Sequence, residues 1–489
     1  MTTVGIDLGT SGVKMLAMSE EGEVLKIVSR DYPLYQSGNE SEQEPEDWWE
    51  QTAEGLKEMT AAVGEVGAVS FSGQMHGLVV LDENDKVIRR AMLWNDQRTT
   101  EECHYLNDEI GREHLLEHTA NIALTGFTLP KILWMKKHEP ENFKRIAKIM
   151  LPKDYLAYKL TGHFATDFSD ASGTLLLDVK NKRWSNFMLN TAGLNVSQLP
   201  KLYTSSEAVG NVTAAAAAKT GLSERTVVAI GGGDQAVGAV GTGTVAGGMC
   251  SLSLGTSGVV FVAGDFAVDN EPSAVHSFCH ATGDYHMMGV TLAAAASTKW
   301  WVEDILAGDY NAEQADIKSE DLGKNSVFYL PYLSGERTPI NDPLARGAFV
   351  GMATYTTRAD MMLAILEGVA YSLRDNLESM KKLGISATSA RIIGGGAKSD
   401  LWCQIISNVL NLRVDKINSA EGPALGAAIL AQVALKAYPT TATACEKIIK
   451  TTTSFTPNPN SAALYDKKYP LYKNLYTNLK DTFTEFSNI

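Results

Sequence analysis

Cysteine is scarce and unpatterned in this chain. The five thiols, Cys103, Cys250, Cys279, Cys403 and Cys445, are odd in number and include no C-x-x-C pair. That argues against a disulfide framework or a zinc ribbon and for reduced thiols. Basic residues are also short: 43 Lys and Arg face 57 Asp and Glu, for a formal net charge of −14. The deficit excludes a broad nucleic-acid or anionic-membrane surface, both of which need basic patches. No apolar run reaches the roughly 18 residues of a membrane span. The chain opens on a strand-like run with no basic, apolar, cleavable leader. The expectation is a cytoplasmic protein whose phosphate sites are built locally, from amides, hydroxyls and a metal. No dinucleotide or Walker fingerprint, no G-x-S-x-G elbow and no i, i+4 histidine pair with a catalytic glutamate is read in it.

What the chain does have is a repeat. Leu8-Gly9-Thr10-Ser11-Gly12-Val13 recurs letter for letter as Leu254-Gly255-Thr256-Ser257-Gly258-Val259. The spacing is too long for a solenoid and suggests a duplicated domain. A length of 489 residues likewise calls for two or three domains. Each copy lies between β-rich runs and reads as strand, glycine turn, strand. Such a turn exposes amides and hydroxyls to an anion, with Gly9, Thr10, Ser11 and Lys14 in the first copy and Gly255 and Thr256 in the second. Facing each other, the pair would grip one nucleotide; the alternative is two ordinary tight hairpins. Asp7 precedes Gly9 by two residues, whereas Ser253 holds that place in the second copy. One carboxylate, not two, is available to hold magnesium.

The first half predicts a meander over 2–7, 13–18 and 24–31, then a helix from Pro45 to about Ala62. Strands are expected over 66–72 and 78–81, and residues 89–93 should continue the sheet. A strand over 227–230 enters Gly231-Gly232-Gly233-Asp234 with a helix after it, and the glycine-rich stretch 241–248 sets the domain boundary. The second half predicts strands around its own turn and over 275–279 and 285–290, then an alanine-rich helix over 292–306. The expected domains are 1–245 and 246–455, followed by a helical tail over 456–489.

Several motifs carry chemistry. Asp234 ends a strand at a glycine run, where ligands of α/β proteins bind, and is either a proton acceptor in phosphoryl transfer or a helix N-cap. Gly394-Gly395-Gly396-Ala397 lets a flat ligand such as adenosine approach the backbone, or is a plain helix entry. Met75 and His76 lie in a glycine-flanked break, either facing a cleft or serving structure. Trp94, Asn95 and Arg98 are of the kind that binds sugars, the alternative for Trp94 being core packing. The loop from Pro331 to Pro339 is long and irregular enough to have a function, with no step assigned to it.

With these motifs in place the chain resembles the FGGY family of carbohydrate kinases. Gly126-x-Thr128-x-x-Lys131-Ile132-x-Trp134-Met135-x-Lys137-His138 fits the first family pattern. Gly347-x-Phe349-x-Gly351-Met352, with Asp360-Met361-x-x-Ala364-Ile365-Leu366-Glu367, fits the second. The resemblance implies two ribonuclease-H-like, actin-type α/β domains flanking a nucleotide and sugar cleft. It implies Asp234 as catalytic base, and Asp7, with Asp234, as the carboxylate holding Mg²⁺ and the γ-phosphate. Met75 and His76 match a ketose-binding pair, and Gln235, after the base, is expected at a sugar hydroxyl. Gly255, Thr256 and Gly394 to Ala397 match the phosphate and adenosine contacts. The implied reaction is MgATP-dependent phosphorylation of D-xylulose at its 5-hydroxyl, with a homodimer plausible from the resemblance alone. The rivals are another polyol or sugar of the family (ribulose, glycerol, gluconate, fuculose) and an actin- or chaperone-like ATPase.

Overall fold

A computed structural model describes residues 1–267, 275–419 and 421–486. Apolar alternation at the start folds three antiparallel strands, β1 (Thr2–Leu8), β2 (Gly12–Met18) and β3 (Val24–Asp31). Val4, Ile6 and Leu8 of β1 are wholly buried, whereas Val24, Leu25 and Ile27 leave β3 as an open edge. Helix α1 (Pro45–Val63), opened by its proline, buries Trp48, Trp49, Leu56 and Met59 behind β2 and β3. Strand β4 (Val66–Gly73) returns parallel to β1. Strands β5 (Ala208–Asn211), β6 (Val227–Ala229) and the two-residue β7 (Gly232–Gly233) complete the sheet, in the order β5-β6-β4-β1-β2-β3 with β7 also on β4.

The second sheet holds β8 (Met249–Leu254), β9 (Gly258–Gly264), β10 (His276–Cys279), β11 (Tyr285–Thr291), β12 (Ser389–Ile393), β13 (Val414–Ile417) and β14 (Thr451–Phe455). Its order is β10-β11-β9-β8-β12-β13-β14. Without the outer strands, both sheets read alike: a three-stranded meander, then two strands parallel to its first member. The letter repeat is thus a repeat of topology, the ribonuclease-H-like pattern in duplicate.

Two helices tie the lobes together. Helix α3 (Asp234–Thr242) leaves the first sheet, and α7 (Gly422–Ala434), from the second half, lies on β1 and β4 of the first. They cross at backbone contact: a Cβ on Gly241 would stand 1.8 Å from the Gly422 carbonyl oxygen, and one on Gly426 1.9 Å from that of Val237. Between them lie α4 (Ala295–Lys299), α5 (Arg358–Lys382) and α6 (Asp400–Leu410). The tail forms α8 (Pro459–Phe486), whose Tyr465, Tyr469 and Tyr472 pack around Tyr371 of α5 in the second core.

Some expectations need correction. Residues 89–93 do not continue the main sheet: only Ala91–Met92 is extended, and it pairs with Glu40–Gln43 in a separate small sheet. Val79–Leu81 pairs with Lys148–Met150 instead. These short apolar runs pair with other short strands outside the main sheet, where β4 already has β1 on one side and β6 and β7 on the other. The alanine-rich helix over 292–306 starts only at Ala295 and gives way to a π-helical turn over Trp300–Ile305. Its first residues are drawn off to bond the second hairpin. All five cysteines are free and buried, and among the described residues no helix is long and apolar enough to cross a membrane.

Candidate active site

Strand β4 sets the geometry. It takes β1 on one side, with Asp7 in register with Ser72, and β7 on the same chain end, with Gly233 in register with Gly73. Asp7 and Asp234 are therefore delivered to neighbouring places at the C-terminal ends of parallel strands. Asp234 is the first residue of α3, where helix amides favour a negative group. Burial, then the nearby Asp7 charge, pushes the Asp234 carboxyl up to about 7, against hydrogen bonds from Gln235. Burial also pushes Asp7 up to about 6, although the Ser72 hydroxyl donates to it at 2.8 Å and Lys14 lies near. Lys14 itself bridges to Glu421, at the start of α7, at 2.8 Å.

The chain breaks sharply after β4. Met75 packs its side chain against Gly233, with its sulfur 3.0 Å from where a Cβ would be. His76 is held at φ 70, a left-handed conformation rare for a residue with a Cβ. Its Nδ1 lies 2.7 Å from the Gly173 carbonyl, and burial, helped by the Lys131 and Arg337 charges, outweighs that bond and brings it down to about 3, a neutral ring. The buried Lys131 donates to the carbonyls of His76 at 2.9 Å and Gly126 at 2.7 Å, which clamps the break. Trp94 is 46% exposed and donates to the Thr10 hydroxyl at 2.9 Å. That hydroxyl donates on to Gln74, and Gln74 to Gln43. Asn95 has a buried Oδ1 without a hydrogen-bond partner, an acceptor suited to a ligand hydroxyl. Arg98 is committed to Asp96 and Glu42 and lies over Trp134, beneath the loop that carries Trp94 and Asn95.

The second lobe holds a pocket of about 900 Å³ bordered by Thr256, Gln314, Gly395, Gly396, Lys398 and Trp402. The carbonyls of Gly255 and Thr256 accept from the amides of residues 294 to 296 at the start of α4, and Thr256 borders the pocket. Gly394 permits the opposite wall: it sits at φ 96, and a Cβ there would lie 2.6 Å from the Leu254 carbonyl. Ala397 closes the following turn from the core side, 9% exposed. Gly9 is tied by its carbonyl to the Tyr32 hydroxyl, and Ser11 is exposed at the tip of the first turn. The predicted residues thus fall into the acid pair, the loops after β4, the first glycine turn and the glycine-walled pocket of the second lobe.

The polar groups packed behind Asp234 are not among the residues singled out from the sequence. Behind Asp234, buried Lys153 sits 2.6 Å from Asp154 and 3.1 Å from Asp167, and Ser169 accepts the Gly233 amide at 3.1 Å. The run Thr166-Asp167-Phe168-Ser169-Asp170 in α2 (Phe168–Ser172) and just before it was the available clue. The statement that no i, i+4 histidine pair carries a glutamate is overturned: His114, Glu117 and His118 bring ligand atoms within 4.8 Å of one another on an exposed helix. The order H-x-x-E-H, inverted from the usual zinc signature, hid it.

A duplicated ribonuclease-H-like core with an acid pair at the lobe junction defines a two-lobed phosphotransferase. Models of the FGGY family of carbohydrate kinases match residues 2–241 (N-terminal domain) and 250–435 (C-terminal domain). The chain belongs to this family and is an ATP-dependent sugar kinase. It is 41% identical to the xylulose kinase of Bacillus subtilis (strain 168), over 98% of each chain. To that of Escherichia coli (strain K12) it is 42% identical, over 88% of this chain and 90% of the other. The crystal structure of a xyloylose kinase from Brucella ovis superposes with a TM-score of 0.93 at 37% identity, covering 99% of this chain and all of that one.

Proposed function

We propose that this kinase transfers the γ-phosphoryl group of ATP to the 5-hydroxyl of D-xylulose, with Asp234 as general base. The observation that carries the mechanism is the carboxyl of Asp234 at the head of α3, beside Asp7 and against the Met75-His76 break. Asp234 accepts the proton of the 5-hydroxyl as that oxygen bonds to the γ-phosphorus and the bond to the departing ADP oxygen breaks. Met75, His76, Trp94, Asn95 and Gln235 hold the ketose, and Arg98 braces their loop. Gly9, Thr10, Ser11, Lys14, Gly255 and Thr256 border the phosphates. Gly394, Gly395, Gly396 and Ala397 shape the adenosine wall. The substrate is supported by the 41% and 42% identity to xylulose kinases.

Two half-buried carboxylates with raised affinity for protons are a hard, oxygen-only donor set that fits magnesium. Asp7 and Asp234 would hold Mg²⁺, which when bound neutralises phosphate charge. Closing of the lobes excludes water and aligns the hydroxyl, and positioning carries most of such a reaction.

The test is a panel of ketoses and polyols scored for ADP release. D-xylulose should give the highest kcat/KM. A tenfold preference for ribulose, glycerol, gluconate or fuculose would replace the substrate, and sugar-independent ADP release would favour an actin- or chaperone-like ATPase. Asp234→Ala should lose turnover by about 10³-fold or more while still binding nucleotide; near-normal turnover would remove the base.

A further inference from the structure

The loop from Pro331 to Pro339 takes no part in the chemistry described so far. Its Glu336 is buried and collects the Thr291 hydroxyl at 2.5 Å and the amides of Leu292 at 3.0 Å and Arg337 at 2.7 Å. These bonds pin the loop to the end of β11 and fix where Arg337 emerges. The Arg337 guanidinium meets the Nε2 of His276, on β10, at 2.9 Å. That bond requires a lone pair on Nε2, hence a neutral ring protonated on Nδ1. Burial first, then the Arg337 charge, keeps His276 well below its ordinary range.

From His276 the path leads into the first lobe. Its ring lies 5.6 Å from that of Phe127, which lies 4.6 Å from that of His76. Arg337 is close enough for its charge to be felt at His76 as well. It therefore stands where the second lobe faces the ketose-side break of the first. Among the described residues no carboxylate offsets its charge: burial alone acts on it, and lowers its pKa. A guanidinium has five N–H donors, and one ring nitrogen is its side-chain partner here. Its side chain is only partly exposed, and arginines withdrawn from bulk water are normally paired. The unused donors suit an oxygen that arrives with the substrate.

We propose that Arg337, held by His276, is the second lobe's contribution to the sugar site and donates to the carbonyl oxygen of an open-chain ketose. The proposal rests on the D-xylulose reading. Ring closure of a 2-ketopentose joins C2 to the 5-hydroxyl oxygen, so a sugar with that hydroxyl free is acyclic and carries a C2 carbonyl. Asp234 at one end and Arg337 at the other would both select this form. Because the two groups belong to different lobes, the ketose itself would draw the lobes together.

The experiment compares wild type, Arg337→Met, Arg337→Lys and His276→Gln, each checked for fold by circular dichroism. KM is measured for D-xylulose and ATP, and Ki for xylitol, the pentitol without a carbonyl, as competitor. Arg337→Met should raise KM for D-xylulose tenfold or more, leave KM for ATP within twofold, and move the xylitol Ki less than threefold. Arg337→Lys and His276→Gln should fall between. An unchanged KM for D-xylulose, equal losses for ketose and pentitol, or a change confined to ATP would overturn the proposal. If Arg337→Met does not fold, an unaltered KM in the other two variants overturns it. A wild type that ignores D-xylulose sinks the activity reading first, and this one with it.

Discussion

The two LGTSGV turns share six residues and differ by one step in register. In the first, Leu8 pairs with Val13 and Asp7 with Lys14; in the second, Leu254 pairs with Gly258 and Ser253 with Val259. The first loop is thus one residue longer at each equivalent place. The neighbours account for this. Tyr32 and Gln43 take the carbonyls of Gly9 and Thr10 in the first turn, whereas the head of α4 takes those of Gly255 and Thr256 in the second. A one-residue slip changes which side chains face each other, so the same threonine acquires different work. Thr10 is locked between Trp94 and Gln74, and Thr256 opens on the pocket. Local sequence sets the turn and tertiary contacts set its use.

The sharpest way to break this comparison is to exchange the residues that differ. Asp7→Ser should cut kcat by about 10³-fold, since a group that holds the reacting phosphate is lost. Ser253→Asp should instead raise KM for ATP about tenfold by repelling phosphate, with KM for the sugar unchanged. Steady-state kinetics with both substrates varied distinguish them, and equal effects would mean that the turns are interchangeable.

A smaller effect comes from the shared threonine. Thr10→Val should raise KM for the sugar about fivefold by cutting the Trp94–Gln74 chain, and Thr256→Val should raise KM for ATP by a similar factor. A larger shift in KM for ATP than for the sugar in Thr10→Val, or any shift in KM for the sugar in Thr256→Val, would contradict the division of labour.

The smallest effect is on stability. Asp234 has its carboxyl raised from 3.8 to about 7, so the native state binds more protons than the unfolded chain across that window. Stability attributable to this group therefore falls as pH rises through the window, and the ionised group is a burden above it. Asp234→Asn should match wild type near pH 4 and exceed it by about 1–2 kcal/mol at pH 8, discounted for partial exposure. Denaturant melts at both pH values read the gap; an inverted gap would mean that the carboxyl is not destabilised in the fold.

Much of this was legible in the letters because it is local. The meander, the proline-headed α1 and the strand entering Gly231-Gly232-Gly233-Asp234 follow from short-range pattern and turn chemistry. What was illegible depends on distant partners. The Arg98 motif looks like a sugar contact until Glu42 arrives from another strand, and His276 and Arg337 meet from segments 61 residues apart. The register slip of the second turn needs α4, which the letters place three residues too early.

The crossing of α3 and α7 has a consequence for how the chain can be divided. Because α7 returns from the second half to cover β1 and β4, a product halted at residue 245 would leave Leu16, Met18 and Val237 without their cover. A protease nick between Gly241 and Gly248, by contrast, would leave the halves clasped by the interlocked helices. The duplicated gene-like plan has become a molecule that must be synthesised whole before either lobe is finished.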